Sequence, residues 1–336
     1  MIQMVMRKLN AGLSGPLVHL EEVDRPKVSG PFDVIVKISA SGVCRSDLHL
    51  LSGLLAVKLP HILGHENAGI VEEVGTLVTT VQKGDSVICF PFISDGLSQP
   101  ERNGLDTNAP NRITPGINAP GGYAEFLLTS ERALVKVPKD ADICELATLT
   151  DAGLAAYRAC KRAAKLLGVG DLAIIIGIGG LGHLAVQILQ KISPASIVAV
   201  DNKTEALAFA QSLGLKKTCN AKDLTSRFAG QAKVVLDFVG TNTTSADGLK
   251  CLCFGGTYLV IGAEGSVTTT MLELIEKEKR IEGIYVGTYG ELQEVTGLAL
   301  AGELRPHIQK YALQDANQAL HDLLNGKIVG RAVLIP

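Results

Sequence analysis

The chain has no excess of basic charge, no long apolar run, no regular cysteine spacing and no internal repeat, and each absence removes a class of function. Lys and Arg number 32 against 34 Asp and Glu, a formal net charge of -2 over 336 residues. A surface for neutralising phosphate backbones is not indicated, which argues against nucleic acid as a main partner. The first residues, MIQMVMRKLNAGLSGP, contain no apolar signal core, and no stretch approaches the roughly 18 uninterrupted apolar residues of a membrane span. A soluble, cytoplasmic protein with no membrane partner is the expectation. The cysteines are Cys44, Cys89, Cys144, Cys160, Cys219, Cys251 and Cys253, odd in number and irregularly spaced, which argues against a disulfide framework. Cys251 and Cys253 are separated by one residue, too few for the usual zinc pair, and are read as buried thiols.

What the chain does have is apolar material for more than one core: 46% of residues are hydrophobic and 20% charged. Its length predicts two domains. The densest chemistry lies between Gly42 and Glu66, GVCRSDLHLLSGLLAVKLPHILGHE. Cys44 and His65 are zinc-type ligands, and Asp47 and Glu66 could serve as oxygen ligands or as acceptors for a liganding histidine. A buried cysteine and a satisfied histidine are also common, so this pair alone leaves metal and plain packing both open. Around it, short apolar runs at 33–39, 68–74 and 85–90, broken by Gly, Pro and Asp, predict a β-rich first domain over residues 1–148. Residues 93–120, dense in Gly, Pro, Asn and Asp, read as a long surface lobe.

From Leu149 the pattern changes to helices alternating with continuous apolar strands, which predicts an α/β domain with a parallel sheet over residues 149–288. Strands are expected at 172–176, 196–200, 234–238 and 257–261, and helices at 182–191 and 204–213. Between the first strand and helix stands Gly177-Ile178-Gly179-Gly180-Leu181-Gly182, a G-x-G-x-x-G turn in its proper setting. Its glycines let the backbone approach a pyrophosphate at the positive end of a helix. Asp201 ends the next strand, 19 residues beyond Gly182, where a carboxylate can accept the ribose hydroxyls. That favours NAD over NADP. Asn202 and Lys203 follow directly, and the lysine could meet a 2′-phosphate if Asp201 turned away, so NADP stays open.

With these motifs in order, the chain resembles the zinc-dependent medium-chain alcohol dehydrogenases of the medium-chain dehydrogenase/reductase superfamily. The resemblance is carried by GVCRSDLH (42–49), GHE (64–66), PGGYAEF (120–126), TDAGLAAYRA (150–159), GIGGLG (177–182) and VGRAVL (329–334). It implies a Rossmann doubly wound sheet plus a β-rich, co-chaperonin-like catalytic domain completed by residues 289–336, with the active site in the cleft between them. Residue by residue it implies a metal site of Cys44, His65 and Asp151, with Glu66 beside the metal and binding it in some states, and Asp47 as the partner of the liganding histidine. Asp151 could instead cap the helix that carries Tyr157. Zinc in such a site acidifies a bound alcohol or polarises a carbonyl, while the cofactor carries the hydride. Ser46 and His49 are the implied proton relay. Arg45 and Arg331 are implied contacts of the pyrophosphate. The implied reaction joins an alcohol, with secondary ones favoured, to its ketone or aldehyde. Alternatives are a polyol or sugar dehydrogenase of the same superfamily, or a low-activity or non-catalytic dinucleotide-binding relative. The segment GIYVGT (283–288) resembles the family's subunit contact, which implies a homo-oligomer, tetramer or dimer.

Two departures qualify the resemblance. Many relatives hold a structural zinc on four cysteines in the lobe, and the matching positions here are Asp95, Ser98, Glu101 and Ala109. One catalytic zinc and no structural zinc is therefore expected, with a mobile lobe in place of a metal-clipped one. Ala155 stands where relatives commonly place a threonine against the nicotinamide, which predicts looser positioning of the ring and low turnover of small alcohols.

Overall fold

The computed structural model describes residues 1–336. The chain divides into two compact units, Met1–Ala152 with Thr288–Leu300 and Arg305–Pro336, and Gly153–Gly287 with Ala301–Leu304. Leu149–Ala152, expected at the head of the α/β part, belongs to the first unit, and Asp151 goes with it. Ala301–Leu304 joins the second unit, where Glu303 pairs with Lys191 and Leu304 is buried.

In chain order the first unit begins with strands β1 (Ile2–Met6), β2 (His19–Glu22) and β3 (Asp33–Val43), helix α1 (Arg45–Ser52), β4 (His61–Ile62), β5 (Glu66–Val74) and β6 (Ser86–Cys89). Helix α2 (Gln99–Arg102), β7 (Phe126–Ser130), β8 (Leu134–Val137) and α3 (Ile143–Ala147) follow. The second unit holds α4 (Leu154–Ala164), β9 (Leu172–Ile176), α5 (Gly182–Ile192), β10 (Ser196–Asp201), α6 (Thr204–Ser212) and β11 (Lys217–Asn220), then α7 (Leu224–Phe228), β12 (Ala232–Asp237), α8 (Asn242–Cys251), β13 (Leu252–Val260), α9 (Met271–Lys277) and β14 (Arg280–Gly283). The chain then returns to the first unit with α10 (Tyr289–Leu300), β15 (Ile308–Ala312), α11 (Ala316–Leu324) and β16 (Arg331–Ile335).

The second unit is a wholly parallel sheet in the order β11-β10-β9-β12-β13-β14, the doubly wound arrangement. Its central strand, LAIII, is buried from Ala173 to Ile176 because helices cover both faces. Strands β11 and β14, absent from the sequence expectation, are polar edge strands, KTCN and RIEG, with no continuous apolar run to announce them. Cys251 is buried as expected, whereas Cys253 is half-buried on β13.

In the first unit the main sheet runs β15-β16-β3-β5-β6-β8, with β7 also paired to β3. Alternating residues of β3, β5 and β6, among them Val34, Val36, Val71 and Val87, form its apolar interior. A second cluster joins Met4, Leu50, Leu320 and Leu334, drawn from β1, α1, α11 and β16, with Leu63 and Tyr123 from the segments after β4 and before β7. No helix of the protein is long and apolar enough to cross a membrane.

The 93–120 lobe is tied down by carboxylates. Ser98 caps α2, and the Glu101 side chain reaches back to accept from Gly96 N at 2.8 Å, from Ser98 N at 3.1 Å and from the Ser98 hydroxyl. Asp95 accepts from Leu97 N and from Asn111 Nδ2, and Ala109 is fully buried. A hydrogen-bonded knot thus stands at two of the positions, Ser98 and Glu101, that match the cysteines of many relatives. Hydroxyl donors of Ser94 and Ser98, aided by the Gly96 and Ser98 amides, outweigh burial and lower the Glu101 pKa from 4.5 to about 2. A carboxyl depressed in the folded state contributes stability above its unfolded pKa and loses it on protonation. Order in the lobe is therefore expected to decline as pH falls from about 4.5 towards about 2. Amide exchange over residues 94–113, corrected for its intrinsic pH dependence, checks this; Glu101→Gln should be poorly protected already at neutral pH and show no further acid step.

Candidate metal centre and active site

Strand register builds the centre. β3 pairs antiparallel with β5, placing Gly42 opposite Glu66, and with β16, placing Val43 opposite Ala332. The end of β3 and the starts of β5 and β16 therefore meet at one edge, and the residues flanking those ends are Cys44, His65 and Arg331. A Cβ on Gly42 would lie 2.0 Å from Glu66 Oε2 and 2.9 Å from Glu66 Cβ, so a larger residue here would displace the Glu66 side chain. Cys44 precedes α1, and Asp47 in the first turn of that helix accepts from Cys44 N at 2.9 Å. Gly53, at φ +83°, ends the helix.

The fourth donor comes from Leu149–Gly153, a single π-helical turn between α3 and α4. Asp151 Oδ2 lies 3.4 Å from His65 Nε2 and 3.7 Å from Cys44 Sγ. The capping role considered for Asp151 is not what the structure shows, since Gly153 precedes α4 and the Asp151 side chain faces Cys44 and His65. Ligand atoms of Cys44, His65, Glu66 and Asp151 all lie within 4.8 Å of one another. One thiol, one imidazole and two carboxylates are a donor set suited to zinc.

The electrostatics agree with that fit. Burial opposes protonation of His65, yet the Asp47 and Asp151 carboxylates outweigh it and hold its pKa well above the ordinary value. Burial raises the pKa of Glu66, against the pull of Arg331. Asp151 is also penalised by burial, but His65 and Arg331 leave it below its usual value. Such a pocket favours a positive charge at its centre. Glu66 Oε2 is buried without a hydrogen-bond partner, whereas Oε1 accepts from Arg331 Nη2 at 2.5 Å.

Ser46 Oγ sits 3.1 Å from His65 Nε2, beside the cluster. His49 is half-buried in the last turn of the same helix, and Arg45 is exposed at its start. Arg331, expected beside a pyrophosphate, is only 3% exposed and turned onto Glu66. Its position at the start of β16 places it at this edge of the sheet. Sequence reasoning gave no role to Tyr123, which is completely buried and donates to Asp47 Oδ2 at 2.8 Å. Its motif, PGGYAEF, was visible, but a partner 76 residues away is not something local spacing can disclose.

In the second unit Gly177 takes φ +88°, and a Cβ on Gly182 would lie 1.8 Å from Gly177 O. A Cβ on Gly179 would meet nothing within 4 Å, so the outer side of the turn is open. Asp201 Oδ2 accepts from Ile178 N at 2.8 Å and Oδ1 from Lys203 N at 2.9 Å, joining the turn to the end of β10. Carboxylate oxygens have further lone pairs to offer ribose hydroxyls. Asn202 and Lys203 are exposed alongside.

Comparison with known proteins follows this division. Residues 30–139 match the alcohol dehydrogenase GroES-like domain, and residues 180–301 match the zinc-binding dehydrogenase family. An NAD-dependent alcohol dehydrogenase of Saccharolobus solfataricus is 33% identical, over 98% of this chain and 100% of that protein. The D-arabinose 1-dehydrogenase (NADP(+)) of the same organism is 33% identical, over 96% of this chain and 95% of that protein. The crystal structure of the alcohol dehydrogenase from the hyperthermophilic archaeon Aeropyrum pernix superposes with a TM-score of 0.94 at 39% identity, covering 100% of both chains. A two-domain oxidoreductase fold with a metal-ligand cluster in one unit and a dinucleotide turn in the other is thereby defined. The chain belongs to the zinc-dependent medium-chain dehydrogenase/reductase family.

Proposed function

We propose that the protein is a zinc- and NAD(P)-dependent dehydrogenase that interconverts a hydroxyl, on a secondary alcohol or on a sugar or polyol, with the corresponding carbonyl. The observation that carries this reading is the convergence of Cys44, His65, Glu66 and Asp151 within 4.8 Å. Those four residues would hold the zinc, with Glu66 as the exchangeable member because Arg331 already claims one of its oxygens. Bound there, zinc supplies Lewis acidity at the substrate oxygen. Ser46, beside His65, receives the hydroxyl proton, and His49 on the same helix carries it towards solvent, a task suited to an imidazole. Asp47 keeps the His65 ring oriented throughout.

The Gly177–Gly182 turn and Asp201 would bind the dinucleotide, with Arg45 offered to its phosphates. Asp201 supports NAD as the preferred cofactor, and exposed Lys203 supports some use of NADP. Scattered free cysteines support a cytoplasmic setting. Exposed Tyr285, within the GIYVGT segment, and exposed Met271 and Ile275 on α9 support a homo-oligomer.

The test is a scan of secondary alcohols, polyols and aldoses with NAD and with NADP, before and after chelation. One tightly held zinc per chain, activity abolished by the chelator and restored by zinc, and a preference for NAD are expected. Two tightly held zincs per chain would contradict the single-site reading, and activity indifferent to metal removal would contradict the mechanism.

A further inference from the structure

The PGGYAEF segment is sewn onto residues 62–64, immediately before His65. Gly121 N donates to Ile62 O at 2.9 Å, Tyr123 N to Leu63 O at 3.0 Å and Gly122 N to Gly64 O at 2.8 Å. Side chains leave no slack in this seam: a Cβ on Gly122 would lie 1.7 Å from Asn67 Oδ1, and one on Gly64, at φ +98°, would lie 2.5 Å from Tyr123 Cδ1. The ring of Tyr123 is thus fixed, and its hydroxyl donates to Asp47 Oδ2. Cys44 N donates to that same oxygen at 2.9 Å. With Oδ2 held by two donors, the plane of the carboxylate is set, and Oδ1 is presented 3.4 Å from His65 Nδ1.

An imidazole whose Nδ1 faces a carboxylate carries its proton there and offers Nε2 as the ligand atom. We propose that Tyr123 is a positioning residue of the metal centre: its hydroxyl, acting through Asp47, sets the orientation of His65 and with it the tightness of zinc binding. The proposal rests on the zinc reading above. A residue that only filled the core cluster of Met4, Leu50 and Leu63 would need its ring and not its hydroxyl.

Tyr123→Phe separates the two roles, because it keeps the ring and removes the donor. Zinc affinity, measured by competition with a chelating indicator, is expected to weaken about ten- to a hundred-fold, the usual effect of losing an outer partner of a metal-binding histidine. The cobalt-substituted protein should show an altered d–d spectrum, and the melting temperature should fall more in the metal-loaded than in the metal-free form. In an Asp47→Asn background the same change should have little further effect. An unchanged zinc constant and cobalt spectrum, or an equal loss of affinity in both backgrounds, would overturn the proposal. Wild-type protein that fails to bind zinc would overturn the zinc reading itself, a different result from equal binding by wild type and variant. Should the phenylalanine variant not fold, 3-fluorotyrosine at position 123 keeps the ring and strengthens the donor; its zinc constant should move from that of wild type, and no movement would count against the proposal.

Discussion

Asp151→Asn is expected to strip the centre of zinc and to lower turnover by about a thousand-fold or more, with the fold intact. The loss follows from charge as much as from geometry. Cys44 as thiolate and Asp151 each bring one negative charge, while the charge of Glu66 is offset by Arg331 at 2.5 Å. Two net negative charges match a divalent ion, and the amide leaves one. Lewis-acid stabilisation is worth several kcal/mol, and about 4 kcal/mol corresponds to roughly a thousand-fold in rate. Asp151→Cys is the counter-experiment: thiolate is an ordinary zinc ligand, so zinc is expected to stay and turnover to remain within about ten-fold of wild type. Metal analysis, kcat and far-UV circular dichroism on both variants provide the check. Stoichiometric zinc and full turnover in Asp151→Asn would move the third ligand elsewhere, with Glu66 the remaining donor.

How much of this was legible beforehand differed with the range of the signal. Local patterns carried far: LAIII became β9 with the expected bounds, and GIGGLG lies in the turn into α5. Both depend on neighbours in sequence, where periodicity and glycine sterics act directly. Cys44 and His65 were readable as ligand types, but Asp151 was reached only through family resemblance, since 107 residues separate it from Cys44. No propensity announces a π turn that aims a carboxylate at a distant thiol. Tyr123 and Arg331 show the same limit, because each finds its partner through tertiary contact with a residue far away in sequence, Asp47 on α1 and Glu66 on β5. Glu101 is the converse case: resemblance emphasised the missing cysteine, whereas the Ser98 to Glu101 capping pattern was already present locally and forms the knot.

Gly182→Ala is expected to cost the protein its dinucleotide as well as part of its stability. The added methyl would sit 1.8 Å from the Gly177 carbonyl oxygen and 2.8 Å from its carbon. Both are backbone atoms, so no side chain can rotate aside. An ordinary contact needs about 3.5 Å, and the turn must therefore open. Gly177 cannot yield easily, because it occupies φ +88° and a Cβ there would already lie 2.5 Å from Val239 Cγ2. Any opening also draws Ile178 N away from Asp201 Oδ2, now 2.8 Å distant, which disturbs the carboxylate proposed to hold the ribose. Overpacking of this kind costs about 1–3 kcal/mol, and a melting temperature lower by several degrees is expected, together with dinucleotide affinity reduced by about a hundred-fold or more. Gly179→Ala provides the contrast: its methyl meets no protein atom within 4 Å, so stability should be unchanged while the methyl occupies the open side of the turn and weakens binding. Titration of NADH fluorescence and thermal melts of both variants separate the effects. If Gly182→Ala bound NADH as wild type does, the turn would not be the phosphate cradle; if Gly179→Ala alone bound normally, the pyrophosphate would approach from another side.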